Sequence, residues 1–244
     1  MSDIASNQPD AAHGRRPGFA GEVARYALSF SDEERDVDDT LVHITQGAVR
    51  LIPGAQFAAV LIPMRPGRID PQVILGDGLP DVVLNLQNAA GQGPCLEAID
   101  TGRQISVGNV ATESRWPQFS RPAGAAGIAS ISSTPMIVER HTIGVLTLIS
   151  TVSDAFDDES NSLARIFGAH AAIALSGARL TANMTAALSS RDIIGQAKGI
   201  LMERFKVTPD VAFTMLVKAS SHTNVKLRTL CEDLSSTGHF PNPN

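Results

Sequence analysis

The sequence predicts an α+β chain: an N-terminal antiparallel sheet with flanking helices, a long connecting helix, and a C-terminal bundle of three short helices. Three observations predict it. Up to Thr151, short apolar runs bounded by Pro and Gly alternate with amphipathic segments, and the last two runs form a hairpin pattern. A seven-residue apolar repeat follows. From Ser190 to Leu234, three short stretches each carry one apolar stripe at three- and four-residue steps.

Composition bounds the function classes. The 244 residues suffice for one large domain or two smaller ones with a sizeable core. Two cysteines far apart, Cys95 and Cys231, argue against a disulfide framework and fit a reducing cytoplasm. No apolar stretch approaches the roughly 20 residues needed to cross a bilayer. Met1 to Arg16 lacks the hydrophobic centre of a secretory signal, so a cytoplasmic protein with no membrane partner is expected. The six histidines show no metal-ligand spacing, and no Cys-x-x-Cys, phosphate loop or Gly-x-Ser-x-Gly occurs. The reading is therefore of a protein that is not an enzyme, with no catalytic constellation, no metal and no cofactor that can be named.

Residues 1–18 read as a disordered tail. Phe19 to Phe30 has a weak helical pattern, and Ser31 to Asp36 is an acidic break. Val37 to Ile52 is an amphipathic helix with Leu41, Ile44, Ala48 and Leu51 on one side, ended by Pro53-Gly54. Gln56 to Met64 is a central strand, Gln72 to Leu75 a shorter one, and Leu79 to Gln87 starts a helix. Pro94 opens a helix that Gly102 closes. Gln104 to Val107 is a strand, and Trp116-Pro117-Gln118-Phe119 leads into a short helix. Gly124 and Gly127 fall in a flexible Ala/Gly-rich loop. Ala129 to Val138 and Thr142 to Thr151 are strands joined by Glu139-Arg140-His141.

Asp157 and Asp158 cap a helix that starts near Glu159 and can run to Phe205, about 70 Å at ~1.5 Å per residue. Ile166, Ile173, Leu180, Ala187, Ile194 and Leu201 recur every seven residues, with Leu163, His170, Gly177 and Met184 as a weaker companion row. That period suits a marginal coiled coil and a homodimer; the alternative is that Ile166 and Ile173 pack on the sheet. Residues 159–190 are read as the connecting and dimerisation helix. Next, Ile193, Ile194, Ala197, Leu201 and Phe205 share a face. Thr208-Pro209-Asp210 starts a second helix burying Val211, Ala212, Met215, Leu216 and Ala219. His222-Thr223-Asn224 stops it, with Thr223 or Asn224 capping a third helix built on Leu227, Leu230, Cys231 and Leu234. Seven basic against five acidic residues make Ser190–Leu234 locally basic on a chain of net charge −5, which suits a polyanion partner as well as ordinary solvated helix faces.

Two resemblances sharpen this. Gly93-Pro94-Cys95-Leu96-Glu97-Ala98, Thr101-Gly102, Arg115-Trp116-Pro117-Gln118-Phe119, Pro135-Met136 and Ile143-Gly144-Val145-Leu146 resemble a GAF domain, a ligand-sensing fold, over residues 19–175 with a core at 37–175. The resemblance implies a sensor for an unidentified small molecule or an upstream signalling protein. It implies a pocket between the sheet and the helices carrying Cys95 and Trp116, with Asn109 at its rim and Phe119 beside it. Ala197-Lys198-Gly199-Ile200-Leu201-Met202, Ala212-Phe213 with Leu216, and Ser221 to Arg228 resemble an ANTAR domain, here at residues 190–236 and followed by a tail at 237–244. ANTAR domains are RNA-binding modules of bacterial antiterminators, and the resemblance implies binding of paired RNA hairpins by a dimer. Where relatives often carry Leu-Arg in the second helix, this chain has Leu216-Val217-Lys218.

On this reading Lys198, Arg204, Lys218, Lys226 and Arg228 contact phosphates and Thr223 and Asn224 read base edges, with no exposed aromatic platform expected. Two alternatives stand beside it. One is a DNA-binding helix-turn-helix regulator whose recognition helix is Val225 to Leu234. The other is a GAF-type thiol redox enzyme using Cys95, against which stands its lack of a resolving cysteine. Cys95 is otherwise a buried structural thiol, and Trp116 either stacks on a ligand or packs a loop on the sheet.

Overall fold

The computed structural model describes residues 21, 25–26, 36–65, 68–75 and 78–241. The tail expected at 1–18 and most of Phe19–Asp36 lie outside the described residues. The chain divides into two units, residues 1–178 and 179–244.

In the first unit, α1 (Val37–Leu51) starts where Asp36 accepts the Asp39 N–H at 2.8 Å. Its stripe of Leu41, Ile44, Ala48 and Leu51 is buried, as the spacing predicts. Five strands follow: β1 (Phe57–Arg65), β2 (Arg68–Leu75), β3 (Ile105–Val107), β4 (Ser130–Val138) and β5 (His141–Ser150). They form one sheet in the order β2-β1-β5-β4-β3, and every pairing is antiparallel. The strand β5 is central because β4 pairs with it from Ser130↔Ser150 to Val138↔His141 and β1 flanks its other side. The hairpin turn needs only Glu139 and Arg140, both at left-handed φ (48° and 71°), which matches the strand twist; His141 belongs to β5 instead of the turn. The strand β2 begins four residues before the expected Gln72. Pro71 conceals it in the sequence, and the sheet tolerates Pro71 because β2 is an edge strand and the register shifts there.

Both faces of the sheet are covered, which is why β1 and β5 read as unbroken apolar runs. Ala58, Val60, Met136, Leu146 and Leu148 pack in one cluster with α1 and the long helix α5 (Asp158–Phe205). Ala59, Leu61, Ile131, Val145 and Ile149 pack in the other. That second cluster also takes residues of α2 (Leu79–Ala90), α3 (Pro94–Thr101) and α4 (Pro117–Ala125). Gly124 belongs to the last turn of α4 and not to a loop; a Cβ there would lie 3.2 Å from the Ala111 Cα, so a small residue is needed for close packing, not for flexibility.

Asp157 accepts the Ser160 N–H at 2.8 Å and starts α5. Leu163, Ala164, Phe167, Ala171, Ala172 and Leu175 form its sheet-facing stripe. A polar clamp fixes the same turns. Gln104 donates to Ser132, Thr134 and the Asn161 carbonyl at 3.0–3.2 Å, and Arg165 donates to Gln104 Oε1 at 2.7 Å. Ile166 and Ile173 are exposed, so they do not pack on the sheet.

In the second unit, the end of α5 packs with α6 (Pro209–Thr223) and α7 (Leu227–Thr237) around Ala197, Leu201, Ala212, Leu216, Ala219, Leu230, Cys231 and Leu234. Leu201 is fully buried there, so the seven-residue row leaves the surface before it ends. Thr208 caps α6 as expected, accepting from Val211 N. Three expectations are corrected. Val211 and Phe205 are exposed, because Ala212 and Leu216 take the inward positions and Phe205 reaches the helix end, edge-on to Phe240. Asn224 caps the C-terminus of α6 at φ 53° and Thr223 is its last residue. The N-cap of α7 is therefore Lys226, with no side-chain cap bond. The segment after α7 is also tied in, since Arg204 donates to the Gly238 carbonyl at 2.8 Å.

Phe167→Ala should destabilise the first unit by about 3–5 kcal/mol in urea unfolding, because it empties a fully buried site. Val152→Ala, at an exposed site, should stay within about 0.5 kcal/mol of the parent chain.

Candidate functional site

In the first unit the expected site is built around Cys95. Gly93 precedes it at φ +148°, where a Cβ would lie 2.5 Å from the Gln87 side chain, so only glycine lets that side chain through. Pro94 then opens α3. The Gln87 carboxamide accepts the Cys95 N–H at 2.8 Å and donates to Cys95 Sγ at 2.9 Å. The sulfur lies 3.1 Å from Thr147 Oγ1 and 3.4 Å from Ser133 Oγ. Gln87, Cys95, Ser133 and Thr147 are all fully buried. Burial pushes the Cys95 thiol up, and the hydrogen bonds from Ser133, Thr147 and Gln87 offset that only in part. At neutral pH the group is a thiol, not a thiolate.

Trp116 and Phe119 lie in the same buried cluster as Cys95. Arg115 holds that corner: its guanidinium stacks 4.3 Å over the Trp116 ring, pairs with Glu113 at 2.7 Å and reaches Glu97 on α3 at 3.7 Å. The hydrogen bond from Arg115 holds the Glu113 carboxyl below its usual range. Asn109, by contrast, is exposed. Its Oδ1 accepts the Ala111 N–H at 3.0 Å and caps a short 3-10 turn, Val110–Thr112. The structure thus brings Cys95, Trp116 and Phe119 into one core and leaves Asn109 at the surface. Gln87, Ser133 and Thr147 escaped the sequence reading; their one signal is a polar residue inside otherwise apolar runs.

On the second unit the predicted cations divide. The side chains of Lys218 and Lys226 are exposed and make no hydrogen bond or ion pair among the described residues, and the same holds for Arg191, which the sequence reading passed over. Lys198 is half-buried, with its Nζ 5.9 Å from the Phe213 ring centroid. Arg204 is committed to the Gly238 carbonyl. Arg228 donates to Glu232 at 2.9 Å and to the Ser189 and Ser190 hydroxyls at 3.4 Å, so it holds α7 against α5. The Thr223 hydroxyl donates to the Ala219 carbonyl at 2.8 Å. Open clefts lie among the described residues of this unit. One, of about 760 Å³, lies among Gln196, Ile200, Glu203, Arg204 and Ser235. Another, of about 690 Å³, lies among Arg191, Ile194, Lys198, Asp210 and Phe213. Among the described residues no helix is long and apolar enough to cross a membrane.

Comparison with known proteins agrees with this division. The family described as GAF domain matches residues 34–176, and the family described as ANTAR domain matches residues 182–234. No curated protein matches the chain. Among solved structures, the GAF domain of a phosphoenolpyruvate-protein phosphotransferase from Coxiella burnetii is 14% identical, with a TM-score of 0.54 over 68% of this chain and 96% of that one. A free methionine-R-sulfoxide reductase from Neisseria meningitidis, in complex with its substrate, is 16% identical, with a TM-score of 0.51 over 74% of this chain and 99% of that one. At these identities the likeness concerns the fold.

A raised thiol pKa in the folded chain means that folding stability is complete below the ordinary thiol value of 9.0 and falls as the pH climbs through the higher folded value. Thermal melts should therefore show the first unit losing stability at alkaline pH. Cys95→Ser, which does not titrate there, should remove part of that slope.

Proposed function

We infer the function from one premise: the chain belongs to the GAF-domain family and carries a C-terminal ANTAR domain. That architecture is that of a signal-sensing regulator with an RNA-binding output. We propose more specifically that the ANTAR domain binds paired RNA hairpins as a dimer, prevents a terminator from forming, and is controlled by a small molecule or protein partner at the GAF domain in the cytoplasm. The observation that carries the proposal is the match over residues 182–234, on a unit whose Arg191, Lys218 and Lys226 face solvent without partners among the described residues.

Dimerisation draws support from the outer face of α5. Ile166, Ile173, Leu180, Met184 and Leu188 are all exposed, Ile173 by 67%. A row of large apolar side chains at heptad-like spacing, left in water on one helix, suits a second copy of the same helix. Twofold symmetry would then match a repeated RNA element. Gly177 interrupts the row, so the seam would be marginal, and a ligand with a few kcal/mol of differential affinity could shift it.

The alternatives draw less support. A thiol enzyme needs an accessible thiolate, whereas Cys95 is fully buried, protonated and the one cysteine of its unit. A recognition helix at α7 would present Glu232 and Asp233, while its Arg228 is engaged with Glu232.

Gel-shift titration should show tandem hairpins bound more tightly than scrambled RNA and than duplex DNA; equal affinity for all three would defeat the proposal. Lys226→Ala should weaken binding and flatten the log–log salt slope by roughly one unit, whereas Arg228→Ala should chiefly lower stability. Ile173→Asp with Leu180→Asp should yield monomers by light scattering and lose affinity for paired hairpins while keeping the helical circular dichroism.

A further inference from the structure

We propose that the cleft at Phe213 holds one unpaired base of the RNA, stacked on the Phe213 ring, with Arg191 and Lys198 taking the flanking phosphates. The inference rests on the RNA-binding reading and adds a base-recognition site to it.

Phe213 is 41% exposed, although it stands beside the fully buried Ala212. One step around the helix turns its ring outward. The ring lies outside the three-helix core and opens on a cleft of about 690 Å³, roomy enough for a flat heterocycle. The walls fit a nucleotide. Every base offers a π face to an aromatic ring. The Lys198 ammonium lies 5.9 Å from the ring centroid, near the outer reach of a cation–π contact, so the ring holds it weakly. Arg191 has no internal partner among the described residues. Two cations at the rim suit the phosphates on either side of a splayed-out nucleotide. Asp210 lies one turn before Phe213 on α6 and lines the same cleft. Its carboxylate would repel a bare anion but can accept a hydrogen bond from a base amine. Gly195 forms part of the wall, and a Cβ there would meet nothing within 4 Å. The spacing puts Val211, Ala212, Met215, Leu216 and Ala219 on the buried face and no exposed aromatic platform is expected from it; the exposed Phe213 ring departs from that expectation.

The test uses the full chain and a library of tandem RNA hairpins with fixed stems and randomised loops. The wild-type chain should enrich a base at a defined loop position. Replacing that nucleotide by an abasic ribose should cost the wild type roughly tenfold or more in affinity, and cost Phe213→Leu almost nothing. Gly195→Leu should fill the cleft without harming the helix and remove the same base dependence. Phe213→Trp should keep binding, and its fluorescence should be quenched by the selected hairpin but not by its abasic form. An abasic penalty equal in the wild type and Phe213→Leu overturns the proposal, as does binding with no enriched loop base; both leave the RNA-binding reading standing. Loss of the dimer in Phe213→Leu without RNA would mean that a second copy covers the ring, which also overturns it. Failure to bind any hairpin overturns both readings.

Discussion

One helix must satisfy two cores. The residues of α5 that meet the sheet, Leu163, Phe167, Ala171 and Leu175, form a row four apart, while Ala197 and Leu201 enter the three-helix core of the second unit. Between them Leu180, Met184 and Leu188 have no core of their own. Most helical stability in a protein comes from packing an apolar face, and on α5 that packing lies in its first and last turns. The middle therefore carries apolar surface that neither unit uses.

The sensor fold rests on a similar economy of position. Its sheet is covered on both sides, so each polar group inside it needs a partner. Cys95 meets that need with Gln87, Ser133 and Thr147, and Gly93 makes the room. The Gly-Pro-Cys motif is thus explained by packing and hydrogen bonding before any ligand is invoked. The Arg115-Trp116-Pro117 motif works in the same way, as an ion pair and a stacked cation that hold the start of α4.

On the effector unit, geometry sorts a group of cations that looked alike. Arg204 and Arg228 are fork-shaped donors and are spent on a helix end and on neighbouring side chains. Lys218 and Lys226 keep their charge in water. Planar guanidinium groups suit multidentate bonds to fixed acceptors, and strongly hydrated, flexible ammonium groups suit solvent-exposed positions. Thr223 and Asn224 end a helix, so any contact they make with RNA must come from that turn.

Local chemistry alone determined much of this protein. Apolar spacing placed α1, α6 and α7 and the buried row of each apart from Val211, since a helix period is written in the chain. Pro94, Gly102, Thr208 and Pro209 marked helix ends, because caps depend on near neighbours. The strand runs and the hairpin were legible for the same reason, except where Pro71 concealed an edge strand. What only tertiary structure decided is which neighbour loses the competition for the interior. Ile166 and Ile173 stay out because Ala164, Phe167 and Ala171 already fill the sheet-facing side. Phe213 stays out because Ala212 and Leu216 face the core. Arg228 turns inward because Glu232, Ser189 and Ser190 converge on it. Such outcomes depend on atoms distant in sequence meeting in space, and no local pattern encodes them.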